Sequence, residues 1–333
     1  MMLSDLVLGS LFLIQMGFGI LGNFFLLGLY TLTLLIGHKL RPIEYIFIHL
    51  ALANSEVLLS KGIPHTIVSS GIKNFLDHLG CKLILYLQFV SRRVSLCITC
   101  LLSGFQVITI SPNNSRWAEL KILAPKCIVP ACFFSWCFFL LINFTMLGTM
   151  HNSRYVTNNT RTWHLGYCSM SSPASFKISF FAIVFSIPDV MCVGFMIWAS
   201  GYLVLLLHRH HQQVKHIHSP HLSPRTFPEK KATQTVLLLV STYVSFYSIN
   251  SALSFYLFKN NKHQPWLTAI TDLLAAWFPA ISPFVLIFCD SQVLKYWDAL
   301  WHGRHCCHLF LNNPNQTSQH SSLALQQINM FRS

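Results

Sequence analysis

Charged side chains are scarce in this sequence. They make up 10% of the 333 residues, and only ten residues are acidic. Apolar residues make up 53%, and the mean hydropathy is positive. Because a chain with so few charges cannot expose all of its helices to water, it is predicted to be an integral membrane protein.

The sequence also lacks the patterns that mark catalytic domains. It contains no glycine-rich phosphate loop and no exposed combination of a nucleophile with a base. The polar joints between its apolar runs are too short to form a separate soluble domain. We therefore expect no enzymatic activity, no catalytic residue and no cofactor.

Seven apolar runs fill most of the chain, and each is long enough to cross a bilayer, which takes roughly 20 residues. They cover about residues 6–36, 43–69, 81–110, 125–147, 176–207, 232–258 and 267–288. The predicted fold is all-α, a bundle of seven transmembrane helices in residues 1–290 followed by a largely disordered tail, 291–333. The first run is expected to stay as a helix, because residues 1–5 carry no Lys or Arg and the run is too long for a signal peptide.

Lys and Arg are unevenly divided between the two ends of these runs. With the N-terminus outside, thirteen of them fall in cytoplasmic segments and six in outer segments. Because basic residues near helix ends are retained in the cytoplasm, this predicts an outer N-terminus and an inner C-terminus. The net charge of +13 then reflects topology and attraction to the lipid bilayer, and no nucleic-acid partner is expected.

The predicted topology sorts the eleven cysteines and the glycosylation sequons. Only Cys81 and Cys168 fall in or beside outer segments, where an oxidising compartment permits a disulfide, so we predict that they pair. The sequon Asn158-Asn159-Thr160 lies in the same outer loop as Cys168, which makes Asn158 a candidate glycan site.

Six histidines crowd the joint between the fifth and sixth runs, and closely spaced imidazoles are able to bind transition metals. This joint has no carboxylate beside its histidines, and the chain has no second histidine cluster to complete a site. A solvated basic loop is therefore the favoured interpretation, and no metal site is predicted. The histidines are His208, His210, His211, His216, His218 and His221.

Charges at bilayer depth are the strongest pointers to a functional site, because each is unfavourable unless it faces a partner or water. Six such residues lie within the predicted helices. They are expected either to pair across the bundle interior and line a cavity, or to form ion pairs that only fix helix orientation. The residues are Glu56, Lys61, Arg92, Arg93, Asp189 and Asp272, of which the last four are candidate cavity residues.

Several long sequence blocks match a known family. The strongest runs from Cys100 through Ser-Arg-Trp-Ala-Glu-Leu-Lys at 115–121 to Ala-Pro-Lys at 124–126. Others are Lys-Leu-Arg-Pro at 39–42, His-Leu-Ala-Leu-Ala-Asn at 49–54, Gly-Tyr-Cys-Ser at 166–169, Pro-Asp-Val at 188–190 and the histidine-rich joint. On these residues the chain resembles the vomeronasal type 1 receptors, a family of seven-helix G-protein-coupled receptors.

The resemblance implies that the chain binds a small pheromone-like molecule and activates an inhibitory-class G protein, in the plasma membrane of chemosensory neurons. The cytoplasmic ends of helices three, five and six are then expected to contact the G protein, through Arg116, Trp117, Lys121, Arg209 and Lys215. The chain lacks the Asp/Glu-Arg-Tyr and Asn-Pro-x-x-Tyr motifs of rhodopsin-like receptors. This absence suits the resemblance and leaves the activation switch unassigned.

Helix three departs from the family pattern. Gln88-Phe89 stands where many members have His-Arg, and Ser91-Arg92-Arg93 where Gly-Arg-Gly is frequent. Because this part of helix three commonly faces the ligand in seven-helix receptors, Gln88 and Phe89 join the candidate cavity residues. In the tail, Cys306 and Cys307 are candidate palmitoylation sites, with two unmodified thiols as the alternative.

Two other interpretations are open at this point. A bitter-taste-type receptor is a related seven-helix protein, although different inner-loop signatures would be expected at residues 115–119. A seven-helix transporter or channel belongs to another class. The odd number of helices and the absence of an internal repeat both disfavour a transporter built from two equal halves.

Overall fold

Seven helices make up most of the described chain in a computed structural model. They are α1 (Met2–Leu35), α2 (Pro42–Ser69), α3 (His78–Ile110), α4 (Ser115–Phe144), α5 (Ser175–His216), α6 (Thr226–Asn260) and α7 (Pro265–Cys289). The structure describes residues 2–37, 39–72, 76–112, 115–144, 147, 150–151, 161–164, 168–172, 175–216, 226–260, 265–289 and 293. Each helix contains a segment long and apolar enough to span a membrane. The predicted all-α, seven-helix fold is confirmed.

Three helices extend further than their apolar runs. Helix α4 begins at Ser115 rather than near Pro125, α5 continues to His216 rather than ending near Leu207, and α6 begins at Thr226. The joints that the sequence suggested as loops are therefore partly helical. The reason is that hydropathy marks the part of a helix in lipid, whereas backbone hydrogen bonding continues through polar residues beyond it.

A small antiparallel sheet, absent from the sequence prediction, lies between α4 and α5. Its strands are β1 (Met150–His151), β2 (Arg161–His164) and β3 (Ser169–Ser172), in the order β1-β3-β2. Strand β3 begins directly after Cys168, which is bonded to Cys81 in the first turn of α3. We call this end of the bundle the disulfide end, and the end where α3 stops at Ile110 the opposite end.

All seven helices belong to one compact unit, Met1–Asp290. A second unit, Ser291–Ser333, lies outside the described residues except for Val293. Helices α2, α3 and α7 are the most buried in the first unit. These helices provide most of the polar groups in the bundle interior, including those of the candidate site.

Helix α1 packs closely against α7 at a point where α7 contains two prolines. A Cβ atom added to Gly22 would lie 2.8 Å from Cγ of Pro283, so only glycine permits this approach. Pro283 has no N–H, which leaves the carbonyl of Pro279 without its intrahelical donor. The buried Asn23 Nδ2 donates to that carbonyl at 3.0 Å and to Gly19 O at 2.7 Å. Asn23 therefore compensates for the interrupted hydrogen bonding of α7.

Replacing Asn23 with Leu should lower the free energy of unfolding by about 1 to 3 kcal/mol, because the buried Pro279 carbonyl loses its donor. Thr33→Val is a matched control, since Thr33 is also buried on α1 but its hydroxyl donates only to Leu29 O of the same helix. The measurement is the melting temperature of the purified protein in detergent. Equal shifts for the two variants would contradict this role of Asn23.

Candidate functional site

A cleft opens between four helices in the interior of the bundle. Its volume is about 370 Å³, including its open mouth. The lining residues are Val57 of α2, Arg92 and Ser95 of α3, Tyr243, Phe246, Tyr247 and Asn250 of α6, and Leu274, Ala275, Phe278 and Pro279 of α7. Apolar and aromatic walls with a few polar groups are typical of small-molecule sites.

Arg92 is the only charged residue among the described residues that line the cleft. Its guanidinium carbon lies 5.5 Å from the ring centroid of Tyr247, within range of a cation–π contact. The Asn250 amide, oriented to satisfy both of its partners, accepts from Arg92 Nη2 at 3.1 Å and donates to Thr271 O at 2.7 Å. Arg92 is thus held by two neutral groups of α6, one of which, Asn250, is also bonded to α7.

An ion pair joins α2 to α7. Lys61 Nζ lies 2.8 Å from Asp272 Oδ1, and both side chains are buried. His65, one turn after Lys61, places Nε2 3.3 Å from the other carboxylate oxygen. The ring of Phe12 from α1 stacks on His65, with centroids 4.3 Å apart and planes nearly parallel. The Asp272 carboxylate therefore connects α7 to α2, and His65 extends the cluster to α1.

A second polar cluster joins α3, α4, α5 and α6. Arg93 Nε lies 3.6 Å from Asp189 Oδ1, and Arg93 Nη1 donates to Asn143 Oδ1. The Tyr247 hydroxyl donates to Asp189 Oδ2 at 3.2 Å. Because the ring of Tyr247 also contacts Arg92, this residue links the cleft to the Arg93–Asp189 pair.

The structure distributes the six candidate cavity residues among several places. Arg92 lines the cleft, whereas Arg93 and Asp189 pair with each other, and Asp272 pairs with Lys61. Phe89 packs beside the buried cluster around the disulfide, and Gln88 is buried on α3 outside the described lining of the cleft. Pairing across the bundle is common to both interpretations that the sequence left open, and ligand contact by these residues stays a prediction.

The sequence analysis missed the buried asparagines, of which Asn54 and Asn250 lie next to the charged residues of the site. Asn54 Nδ2 donates to Ser282 Oγ at 2.8 Å, and Asn54 Oδ1 accepts from Ser95 Oγ at 2.6 Å, so one amide bridges α2, α3 and α7. Asn250 connects Arg92 to α7. The sequence did contain a signal for these residues, because each places an uncharged amide within an apolar helix. At that depth an amide without a hydrogen-bond partner is unfavourable, as a charge without a partner is.

Cys81 and Cys168 form a disulfide with Cα atoms 5.8 Å apart, as the sequence predicted. Both residues are fully buried, and Leu85 completes their cluster with the partly buried Val68, Leu76 and Ile84 around it.

Three other candidate modification sites, Asn158, Cys306 and Cys307, lie outside the described residues. Within the described part of the chain, no group of three metal-binding side chains occurs.

Aromatic packing fixes the start of α4 to α5 at the opposite end. The rings of Trp117 and Tyr202 stack with centroids 6.3 Å apart, and Tyr202 stacks on Trp198 at 5.9 Å. Ser111 Oγ donates to the Tyr202 hydroxyl at 3.4 Å. Trp117 therefore has a packing role here.

Of the other predicted G-protein contacts, Arg209 is exposed, Lys121 is half-buried, and the side chains of Arg116 and Lys215 are not described.

Comparison with known proteins gives extensive sequence matches. The pattern of the vomeronasal organ pheromone receptor family matches residues 7–299. Vomeronasal type-1 receptor 1 of Gorilla gorilla gorilla is 43% identical over 288 residues, which cover 86% of this chain and 81% of that protein. Vomeronasal type-1 receptor 3 of Homo sapiens is 42% identical over 305 residues, covering 91% and 96%. Olfactory receptor class A-like protein 1 of Danio rerio is 31% identical, covering 86% and 90%.

A solved structure gives independent support for the fold. The crystal structure of squid rhodopsin matches with a TM-score of 0.71, over 92% of this chain and 88% of that chain. Only 14% of the aligned residues are identical, so the likeness concerns the fold alone. That fold is the seven-helix fold of G-protein-coupled receptors.

Proposed function

The chain belongs to the vomeronasal organ pheromone receptor family, and from this premise we propose that it binds a pheromone-like small molecule and activates an inhibitory-class G protein. The observation that carries the proposal is the cleft lined by α2, α3, α6 and α7 in a chain with the fold of a G-protein-coupled receptor. A receptor needs no catalytic group, and the family and the fold both indicate a protein that is not an enzyme.

The cleft has a physical connection to the rest of the bundle. A ligand that contacts Tyr247 or Arg92 also acts on the Arg93–Asp189 pair, because Tyr247 contacts both Arg92 and Asp189. Helices α3, α5 and α6 therefore share one polar cluster next to the cleft. A ligand that binds more tightly to one arrangement of this cluster than to another would shift the helix bundle towards the state that has that arrangement.

The proposed orientation places the disulfide end outside the cell and the opposite end in the cytoplasm. The excess of Lys and Arg on the opposite side supports this orientation, since basic residues near helix ends are retained in the cytoplasm. A disulfide between Cys81 and Cys168 also requires an oxidising compartment. From family membership, we also propose that the protein lies in the plasma membrane of chemosensory neurons.

The test is a ligand screen on cells that display the receptor, with inhibition of cyclic AMP synthesis as the readout. The expected result is a ligand-dependent decrease that pertussis toxin abolishes, because this toxin inactivates inhibitory-class G proteins. A ligand response that resists the toxin would overturn the proposed G-protein class. Ion flux through purified protein in liposomes, without any G protein, would overturn the proposed receptor function.

Replacing Arg116 or Arg209 with Ala should reduce G-protein activation about tenfold, which corresponds to about 1.4 kcal/mol of lost interaction. Arg209 is exposed on α5 at the proposed cytoplasmic end, and Arg116 precedes Trp117 at the start of α4. Trp117 is left unchanged, because its loss would also remove the stacking with Tyr202.

The measurement for these variants is the initial rate of nucleotide exchange at equal surface expression. Lys82→Ala serves as the control, since Lys82 is also a basic residue on a helix but lies at the disulfide end. Unchanged exchange in the Arg116 and Arg209 variants would count against this surface as the coupling site.

A further inference from the structure

An acidic side chain lies on the outer surface of α2, halfway along the helix. Glu56 lies 14 residues from Pro42 and 13 from Ser69, the two ends of α2, so about 20 Å of helix extends to either side of it. In a hydrocarbon layer about 30 Å thick, this position is near the centre. A carboxyl group at that depth is unfavourable unless it faces a partner or water.

Glu56 has no partner within its own bundle. The other two acidic residues at bilayer depth, Asp189 and Asp272, pair with Arg93 and Lys61. Within the described part of the chain, Glu56 makes no hydrogen bond and no ion pair. Its side chain is only half-buried, so the carboxyl group is accessible from outside the bundle.

The exposed side of α2 is a narrow stripe with heptad spacing. In residues 50–64, every residue is buried except Leu52, Glu56, Leu59 and Ile63, which we call the α2 stripe. Its three apolar members are 37 to 44% exposed, so the α2 stripe faces lipid. Its intervals of four, three and four residues are those of the a and d positions in a coiled coil, where one polar residue fixes the register of two packed helices.

The carboxyl group of Glu56 is self-complementary in its neutral form. In hydrocarbon an isolated carboxylate is far more unfavourable than the protonated acid, so the group takes the neutral form there. A neutral carboxyl group has one O–H donor and retains acceptor capacity on its other oxygen. Two such groups that face each other each donate one hydrogen bond and accept one, which satisfies both without any further polar group.

We propose that Glu56 pairs with the Glu56 of a second copy of this chain, in a two-fold dimer packed along the α2 stripe. Copies in one membrane share an orientation, so the two-fold axis is perpendicular to the membrane and leaves the depth of every residue unchanged. A residue near that axis therefore meets its own equivalent. A different protein would need a hydrogen-bonding group at this one depth, whereas a second copy always has one. The apolar members of the α2 stripe pack around the carboxyl pair and exclude lipid from it.

The first test is energy transfer between labelled copies of the purified protein in liposomes, as the protein-to-lipid ratio is lowered. Glu56→Leu should move the midpoint of dissociation to about tenfold higher protein density, a typical effect of an interhelical hydrogen bond in lipid. Glu56→Gln should retain most of the association, since an amide also donates and accepts. Ser245→Leu is the matched control and should change nothing, because it removes an exposed hydroxyl of α6 that already donates to Ser241 O.

The second test is disulfide cross-linking in cell membranes, where all copies have the same orientation. Leu59→Cys places a thiol on the α2 stripe of each copy, and oxidation should join two copies into a dimer. Leu141→Cys is the control, because Leu141 is also exposed, at 75%, but belongs to α4. The unmodified protein gives the background from native thiols, of which Cys127 and Cys137 are exposed.

Monomers at every protein density would overturn the proposal and would indicate a different membrane protein as the partner of Glu56. Equal dissociation of Glu56→Leu and the unmodified protein would also overturn it. So would cross-linking of Leu59→Cys no stronger than that of Leu141→Cys, a result that depends on no Glu56 variant. Glu56→Leu should melt no lower than the unmodified protein in detergent, because it removes a polar group that has no partner in the bundle. Neither test involves a ligand or a G protein, so failure of the receptor function proposed above would leave both results unaffected.

Discussion

Replacing Cys168 with Ser should remove most of the receptor from the cell surface. The disulfide to Cys81 closes a loop with a sequence separation of 87 residues, and restraint of a loop this long stabilises a folded chain by about 4 to 5 kcal/mol in the chain-entropy estimate. The bond also fixes the β1-β3-β2 sheet to the start of α3. The measurement is the surface fraction of total receptor, together with the melting temperature of the purified protein.

The control for this variant is Cys137→Ser, which removes an exposed thiol of α4 that belongs to no disulfide. Its surface expression should match that of the unmodified receptor. Cys81→Ser and the double variant should each lose as much as Cys168→Ser and no more, since all three remove the same bond. A mass-spectrometric map that finds both thiols free in surface receptor would contradict the pairing.

Most of the helical framework could be predicted from hydropathy, whereas the polar ends of the helices could not. The predicted and observed bounds of α2 and α7 agree within two residues, because these helices end close to their apolar runs. The start of α4 was misplaced, since residues 115–124 contain Arg116, Glu119 and Lys121. An apolar run marks only the part of a helix that lies in lipid. The strands between α4 and α5 contain no apolar run, so hydropathy did not predict them.

The interior partners show a different limit of sequence reasoning. The charges at bilayer depth were identifiable one by one, because each is unusual in an apolar helix. That Lys61 meets Asp272, and Arg93 meets Asp189, depends on the rotation of each helix and on which helices are neighbours. Those properties arise from packing of the whole bundle, so the sequence left a structural ion pair and a ligand contact equally open for each residue.

Family membership was predictable chiefly from the joint that follows helix three, and matching blocks inside the spans, at residues 49–54 and 188–190, added to it. The block from Cys100 to Lys126 carried the resemblance, and the match of the vomeronasal pheromone receptor pattern over residues 7–299 confirms it. In the structure, part of this block has a clear physical role, because Ser111 and Trp117 both contact Tyr202 of α5. The block therefore fixes the start of α4 against α5 at the end where we propose that the G protein binds.

Asp272→Leu should destabilise the bundle by about 3 to 5 kcal/mol, because it leaves the buried Lys61 ammonium group without its carboxylate. Lys61→Met should be less harmful. In that variant His65, whose Nε2 lies 3.3 Å from Asp272, remains as a second partner of the carboxylate. The expected order of melting temperatures, from highest to lowest, is unmodified receptor, then Lys61→Met, then Asp272→Leu.

The double variant Lys61→Met/Asp272→Leu distinguishes two contributions to the free energy of unfolding. One is the attraction within the ion pair, and the other is the penalty for burying a single charge without its partner. Apolar replacement of both partners removes the desolvation penalty together with the attraction, so the double variant should be more stable than Asp272→Leu. Lys82→Met controls for loss of a lysine elsewhere in the bundle. If the two single effects instead add in the double variant, Lys61 and Asp272 are not coupled. The contact between Lys61 and Asp272 would then contribute nothing to stability.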